Sequence, residues 1–155
     1  MSFQVSGLGL GQFAPLLAMS DEQLLSVNAR RLIADRHPGF PCRVSLVDAL
    51  PGERVLLVNY EHLPVMSPYR ARYALYVREN ATEARLAVDE IPPVLEQRLL
   101  SLRAFSAQGM LLDAEVSEGA ELRGTLERLL SPREVAYLHV HNARPGCYAA
   151  RVDRA

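Results

Sequence analysis

The chain has 155 residues, 49% of them hydrophobic and 23% charged, with a formal net charge of -1. That length fits one domain able to bury an apolar core without staples, and no apolar run approaches the roughly 18 residues of a membrane span. All 17 basic residues are arginine; the lack of lysine excludes Schiff-base and Walker-type phosphate chemistry, and the near-neutral charge gives nucleic acid or anionic membrane no general attraction.

Phe3 to Ser6 alternates and predicts an edge strand, after which Gly7, Gly9 and Gly11 mark a loop. These glycines lack the spacing and the later acidic residue of a dinucleotide fingerprint. Ser20-Asp-Glu-Gln opens like a capping box, and Leu24, Leu25, Val27, Leu32 and Ile33 share an approximate face, so a helix is expected over Asp21 to Ala34. Pro38, Gly39 and Pro41 break the chain; Arg43 to Val47 is expected as a short strand before a turn at Leu50 to Glu53. Arg54 to Tyr60 is apolar on both parities, the pattern of a central strand covered on both faces. Tyr73 to Arg78 predicts a further strand.

Pro92-Pro93 suits the start of a helix, expected to reach Leu102. Arg103 to Ser106 and Met110 to Val116 predict a hairpin around Gln108-Gly109, and Gly119 to Leu130 is helical in pattern. Tyr137 to His141 and Tyr148 to Val152 form the last strand pair, joined by Asn142 to Gly146. The expected fold is α+β: a single domain over residues 1–155, with a mixed or mainly antiparallel sheet and about three helices.

The N-terminal Met1 to Gly7 lacks a basic start, an apolar stretch and a cleavage site, so no secretory signal is read and a cytoplasmic location is expected. In that reducing compartment Cys42 and Cys147 are read as free thiols. The arginine-only basic set reads first as the mark of a GC-rich genome.

In an extended Tyr137–His141 the period of two places Tyr137, His139 and His141 on one face, with Leu138 and Val140 on the other. Two readings stay open for the histidines. They serve as acid and base, or they hold a divalent metal, for which Cys147, His62 or a carboxylate would have to converge as a further ligand. A structural role, in hydrogen bonds on a polar sheet face, is the alternative to both. Asn59 to His62 ends the expected central strand, and Arg70 and Arg72 alternate with Tyr69 and Tyr73, a composition suited to carboxylate or phosphate recognition; the structural reading, that both arginines are solvated strand residues, stands beside it.

His139-Val-His141-Asn-Ala143 resembles the opening of the His-X-His-X-His core of the histidine-triad nucleotide hydrolases, with alanine where the third histidine would stand. A broader resemblance rests on Pro41 to Leu46, Pro51 to His62, Ser67 to Ala71 and Tyr137 to Arg154. Their sequences and order resemble the bacterial family known as domain of unknown function 1203. That resemblance implies one domain over nearly the whole chain and carries no activity, catalytic residue or ligand.

The expectation is a small cytoplasmic protein with a His/Arg/Tyr-lined pocket for an anionic small molecule. His139 and His141 would be its catalytic pair, and Asn59, Tyr60, Arg70, Arg72, Asn142 and Cys147 its ligand-binding set. Whether it is an enzyme stays open. The alternative is a noncatalytic interaction or regulatory module whose exposed apolar residues serve a homodimer or a partner interface; neither reading involves membrane or nucleic acid.

Overall fold

Alternating side chains along eight strands build two antiparallel sheets in the computed structural model, which describes residues 1–155. The first sheet runs β1 (Phe3–Ser6), β8 (Tyr148–Arg154), β7 (Tyr137–Asn142), β5 (Leu99–Phe105), β6 (Leu111–Glu118). The second runs β2 (Ala29–Ile33), β3 (Arg54–Leu63), β4 (Ala71–Arg78). Four helices complete an α+β fold: α1 (Ala14–Leu17), α2 (Asp21–Ser26), α3 (Pro93–Glu96) and α4 (Leu122–Leu130). No helix is long and apolar enough to cross a membrane.

The largest core lies on one face of the five-stranded sheet. Leu100, Leu102 and Ala104 of β5, Leu138 and Val140 of β7, and Ala150 and Val152 of β8 meet Leu122, Leu126, Leu129 and Leu130 of α4. The helix forms because those leucines recur at helical spacing and each gains about 1.5–3 kcal/mol on full burial. A 3-10 turn at Gly119–Glu121 leads into it, and only glycine fits there: a Cβ on Gly119 would stand 2.2 Å from the Leu95 carbonyl oxygen.

β3 is the middle strand of its sheet and is covered on both faces, as its apolar run predicts. Val55 packs with Ala34, Phe40 and Ala49, while Leu56 and Val58 pack with Phe13, Leu24 and Leu75. The β5–β6 hairpin and the β7–β8 pair also form as expected. A bulge in the β7–β8 ladder pairs His141 with Tyr148 and so brings the tyrosine to the histidine face of the sheet.

Three local expectations are corrected. The capping box forms, with Gln23 N donating to Ser20 Oγ at 3.1 Å and Ser20 N to Gln23 Oε1 at 2.8 Å, but the helix ends at Ser26. Asn28 takes a left-handed turn at φ 61°, and Ala29–Ile33 pairs with β3 as β2; strand pairing overrides helical spacing there. Arg43–Val47 is a compact turn, with Leu46 at φ 52° and its N–H on the Cys42 carbonyl, and only the flanking Pro41, Cys42 and Asp48 form isolated bridges. The Pro92-Pro93 helix stops at Glu96, because Leu99–Leu102 are claimed by ladders to both β6 and β7. The three expected helices all form, and α1 (Ala14–Leu17) is a fourth.

Candidate functional site

With Leu138 and Val140 committed to the core, the parity of β7 turns Tyr137, His139 and His141 to the opposite face. That face is covered by the end of β3, which delivers His62. The ring centroids of His62 and His141 are 5.1 Å apart, those of His62 and His139 6.0 Å, and those of His139 and His141 6.2 Å. Tyr148 packs against all three, stacked on His62 at 5.4 Å and edge-on to His139 at 4.9 Å and His141 at 5.9 Å. The rings open onto a cavity of about 140 Å³, lined also by Tyr69, Arg103 and Phe105.

Burial sets the charge state of this group. His139 and His141 are 3% and 1% exposed. Desolvation, followed for His139 by the facing His141, His62, Arg151 and Arg103, pushes its pKa down to about 3. His141 falls to about 3 mainly through burial, against the opposing hydrogen bond to Gly146. His62 is lowered by burial and then by Arg103. All three rings are neutral at pH 7.

The tautomer of His141 is fixed. Its Nδ1 lies 2.9 Å from the Gly146 carbonyl oxygen, which only accepts, so Nδ1 carries the proton and Nε2 the lone pair. That Nε2 is buried without a partner, as are Nδ1 of His62 and Nδ1 of His139. No group of three or more His, Cys, Asp or Glu side chains is arranged to hold a metal ion. The imidazoles stand as a packed aromatic group around Tyr148, with the His62 and Tyr148 planes 15° apart.

Arg103 supplies the pocket's positive charge. It is paired in register with His139 across the β5–β7 ladder and takes part in no ion pair. On the other flank of His139, Arg151 is engaged by Asp153 at 2.7–3.1 Å and lies over the Tyr137 ring at 4.0 Å.

The other expected site residues are dispersed. Arg70 donates to Glu61 through Nε and a terminal nitrogen at 3.0 and 3.1 Å on an exposed surface. Arg72 is held by Asn59, and the two line a shallow depression beside Leu25 to Asn28. Tyr60 donates its hydroxyl to Gln12 at 2.9 Å. None of these four lines the histidine pocket.

Asn142 and Cys147 flank the β7–β8 turn and face a different, larger cleft of about 940 Å³. Buried Arg43 reaches that turn, donating to the Tyr148 carbonyl at 2.7 Å, to the Pro41 carbonyl and to Cys147 Sγ at 2.9 Å. Sequence reasoning missed Arg103 and Arg43. The former is marked only by strand register, and the latter carries no signal that a guanidinium inside a Pro-Cys-Arg stretch would be 1% exposed.

Fold and pocket together define an α+β protein with three of its four histidines gathered where two antiparallel sheets meet. The chain belongs to the family described as protein of unknown function DUF1203, whose sequence model matches residues 39–154. The match takes in His62, Arg103, His139 and His141, and bears out the resemblance carried by the Pro41, Pro51, Ser67 and Tyr137 segments. No curated protein and no solved structure matches the chain.

Proposed function

We propose that the protein takes up a small anion, of carboxylate or phosphate size, in the histidine pocket. One observation carries this reading: an arginine without an ion pair, Arg103, lines a cavity of about 140 Å³ whose three imidazoles have buried ring nitrogens with no partner. A bound anion would pair with the guanidinium. It would also remove part of the positive potential that, after burial, holds His62 and His139 neutral. Binding and protonation are therefore coupled, which supports acid-base or hydrolytic use of His139 and His141 once the anion is in place. The setting is a bacterial cytoplasm, a reading supported by the two free thiols and the arginine-only basic set.

Titration with acetate and inorganic phosphate, read by calorimetry and by the histidine ring protons in NMR, tests the reading. Binding that raises the histidine pKa values and is lost in Arg103→Gln is expected; binding untouched by that substitution would refute it.

A noncatalytic module forming a homodimer is favoured by a separate observation: β6 is a sheet edge with Leu112 and Val116 exposed. Light scattering on wild type and Val116→Lys decides it, with a dimer converted to monomer as the supporting result.

A further inference from the structure

The large cleft shares no lining residue with the histidine pocket, and its residues have no role in the reading above. The loop carrying Arg36, the start of β5 at Arg98, and the turn bearing Asn142, Arg144 and Cys147 form its polar walls, with β4 opposite. Four of its lining residues are arginines and one, Glu118, is acidic.

These arginines are not equally free. Arg98 is held by Asp48 at 2.6 and 2.9 Å. Arg43 is buried and committed to two carbonyls and the Cys147 sulfur. Arg36 lies over the Phe40 ring at 5.2 Å, and its one ion pair is an exposed contact to Asp35 at 3.0 Å, a pairing that water and salt weaken. Arg144 is exposed and is paired with no acid. The wall therefore offers two guanidinium groups to an anion.

A second observation points to the rest of the ligand. Asn142 is 6% exposed, and its amide nitrogen donates to Cys147 Sγ at 3.4 Å. Its side-chain oxygen is buried with no hydrogen-bond partner, and the residue itself is part of the lining of the same cleft. A buried amide oxygen is an acceptor waiting for an N–H or O–H. A fully ionised carboxylate or phosphate group cannot supply one. The volume of about 940 Å³ falls in the range of small-molecule sites.

We infer that this cleft is a second site, for an anionic small molecule that also carries a hydroxyl or amine: its acid group on Arg144 and Arg36, its donor on the Asn142 oxygen. Hydroxycarboxylates and phosphorylated polyols share that chemistry. Matched pairs separate the two sources: citrate against tricarballylate, and glycerol 3-phosphate against propyl phosphate, each pair differing in hydroxyl content.

Calorimetry on the full chain should show the hydroxylated member of one pair binding about tenfold tighter or more, the discrimination expected when its rival leaves a buried polar group unpaired. Asn142→Leu should erase that margin, and Arg144→Ala, an exposed substitution with little bearing on folding, should weaken both members of the pair. Thermal melts on both variants confirm that they are folded, and chemical-shift changes at the Ala143 and Arg144 amides locate the ligand independently. No binding by either pair up to about 10 mM, a margin that survives Asn142→Leu, or binding sensitive to Arg103→Gln but not to Arg144→Ala would overturn the inference. The last result would place the ligand in the histidine pocket and leave that site's reading standing.

Discussion

Arg103 and His139 are register partners across the β5–β7 ladder, a cation opposite a ring that burial has already stripped of its basicity. The pair makes the pocket electrostatically one-sided: Arg103 is the unpaired cation there, and the adjoining Arg151 is neutralised by Asp153.

Removing that cation has two readable effects. Arg103→Gln should weaken small-anion binding by roughly 10–100-fold, the scale of a charge-assisted hydrogen bond. In the ligand-free protein it should also move the His62 titration to higher pH, because Arg103 is the largest lowering influence on that ring after burial. A His62 titration that stays in place or moves down would disprove the electrostatic role.

The buried rings set the acid limit of the fold. His139 and His141 are lowered to about 3, against roughly 6.5 when unfolded. Their contribution is thus fully present above the unfolded value and is lost as pH falls through the window toward 3. The groups facing them are His62 on β3, Arg103 on β5, Arg151 and Tyr148 on β8, and Arg43 from the loop, with no carboxylate to hold an imidazolium. Between pH 6.5 and 5 the two rings together should cost about 3 kcal/mol. His139→Phe, an aromatic among Phe105, Tyr137 and Tyr148, should flatten the acid limb in urea titrations at stepped pH; an unchanged slope would count against it.

Asp48 and Arg98 tie the loop before β3 to the start of β5. The carboxylate accepts from Arg98 at 2.6 and 2.9 Å and from the Gly39 N–H at 3.1 Å, with its side chain 4% exposed. Arg98→Met should cost about 3–5 kcal/mol by stranding that carboxylate, and the double variant with Asp48→Leu less than the single. A double-mutant cycle by chemical denaturation measures this; equal losses in the single and double variants would refute the stranded-charge argument.

Two glycines of one turn-and-helix unit should respond in opposite directions. Gly119→Ala drives a methyl against the Leu95 and Glu96 carbonyls and should cost at least about 3 kcal/mol. Gly124, exposed within α4, has nothing within 4 Å of an added Cβ. Gly124→Ala should stabilise by about 0.5–1 kcal/mol, a rise in melting temperature that a thermal scan detects.

The strands were legible wherever alternation or a double-sided apolar run reported burial, as in Arg54 to Tyr60 and Tyr137 to His141. Ala29–Ile33 was not, because Leu32 and Ile33 fall at helical spacing from Leu24 and Leu25 and only pairing with β3 decides the matter. The facing of His139 and His141 followed from the strand period alone, and His62 was visible as the end of a central strand. The site's cations were hidden: Arg70 and Arg72 looked accessible in sequence and sit on the surface, while Arg103 gains its meaning from a register between strands that sequence does not display. Asn142 and Cys147 lie close to His141 in sequence, yet the turn sends them to another cleft.

The sheet order also shapes how the chain folds. β1 lies beside β8, with Phe3 opposite Arg154 and Val5 opposite Val152, so one outer ladder joins strands from opposite ends of the sequence. Loop-closure entropy opposes that ladder until the hairpins β5–β6 and β7–β8 have formed a platform. The expected order is a nucleus in the β5–β8 region with late arrival of β1, a kinetic route in which Phe3 and Val5 leave unfolding rates, not folding rates, as their signature.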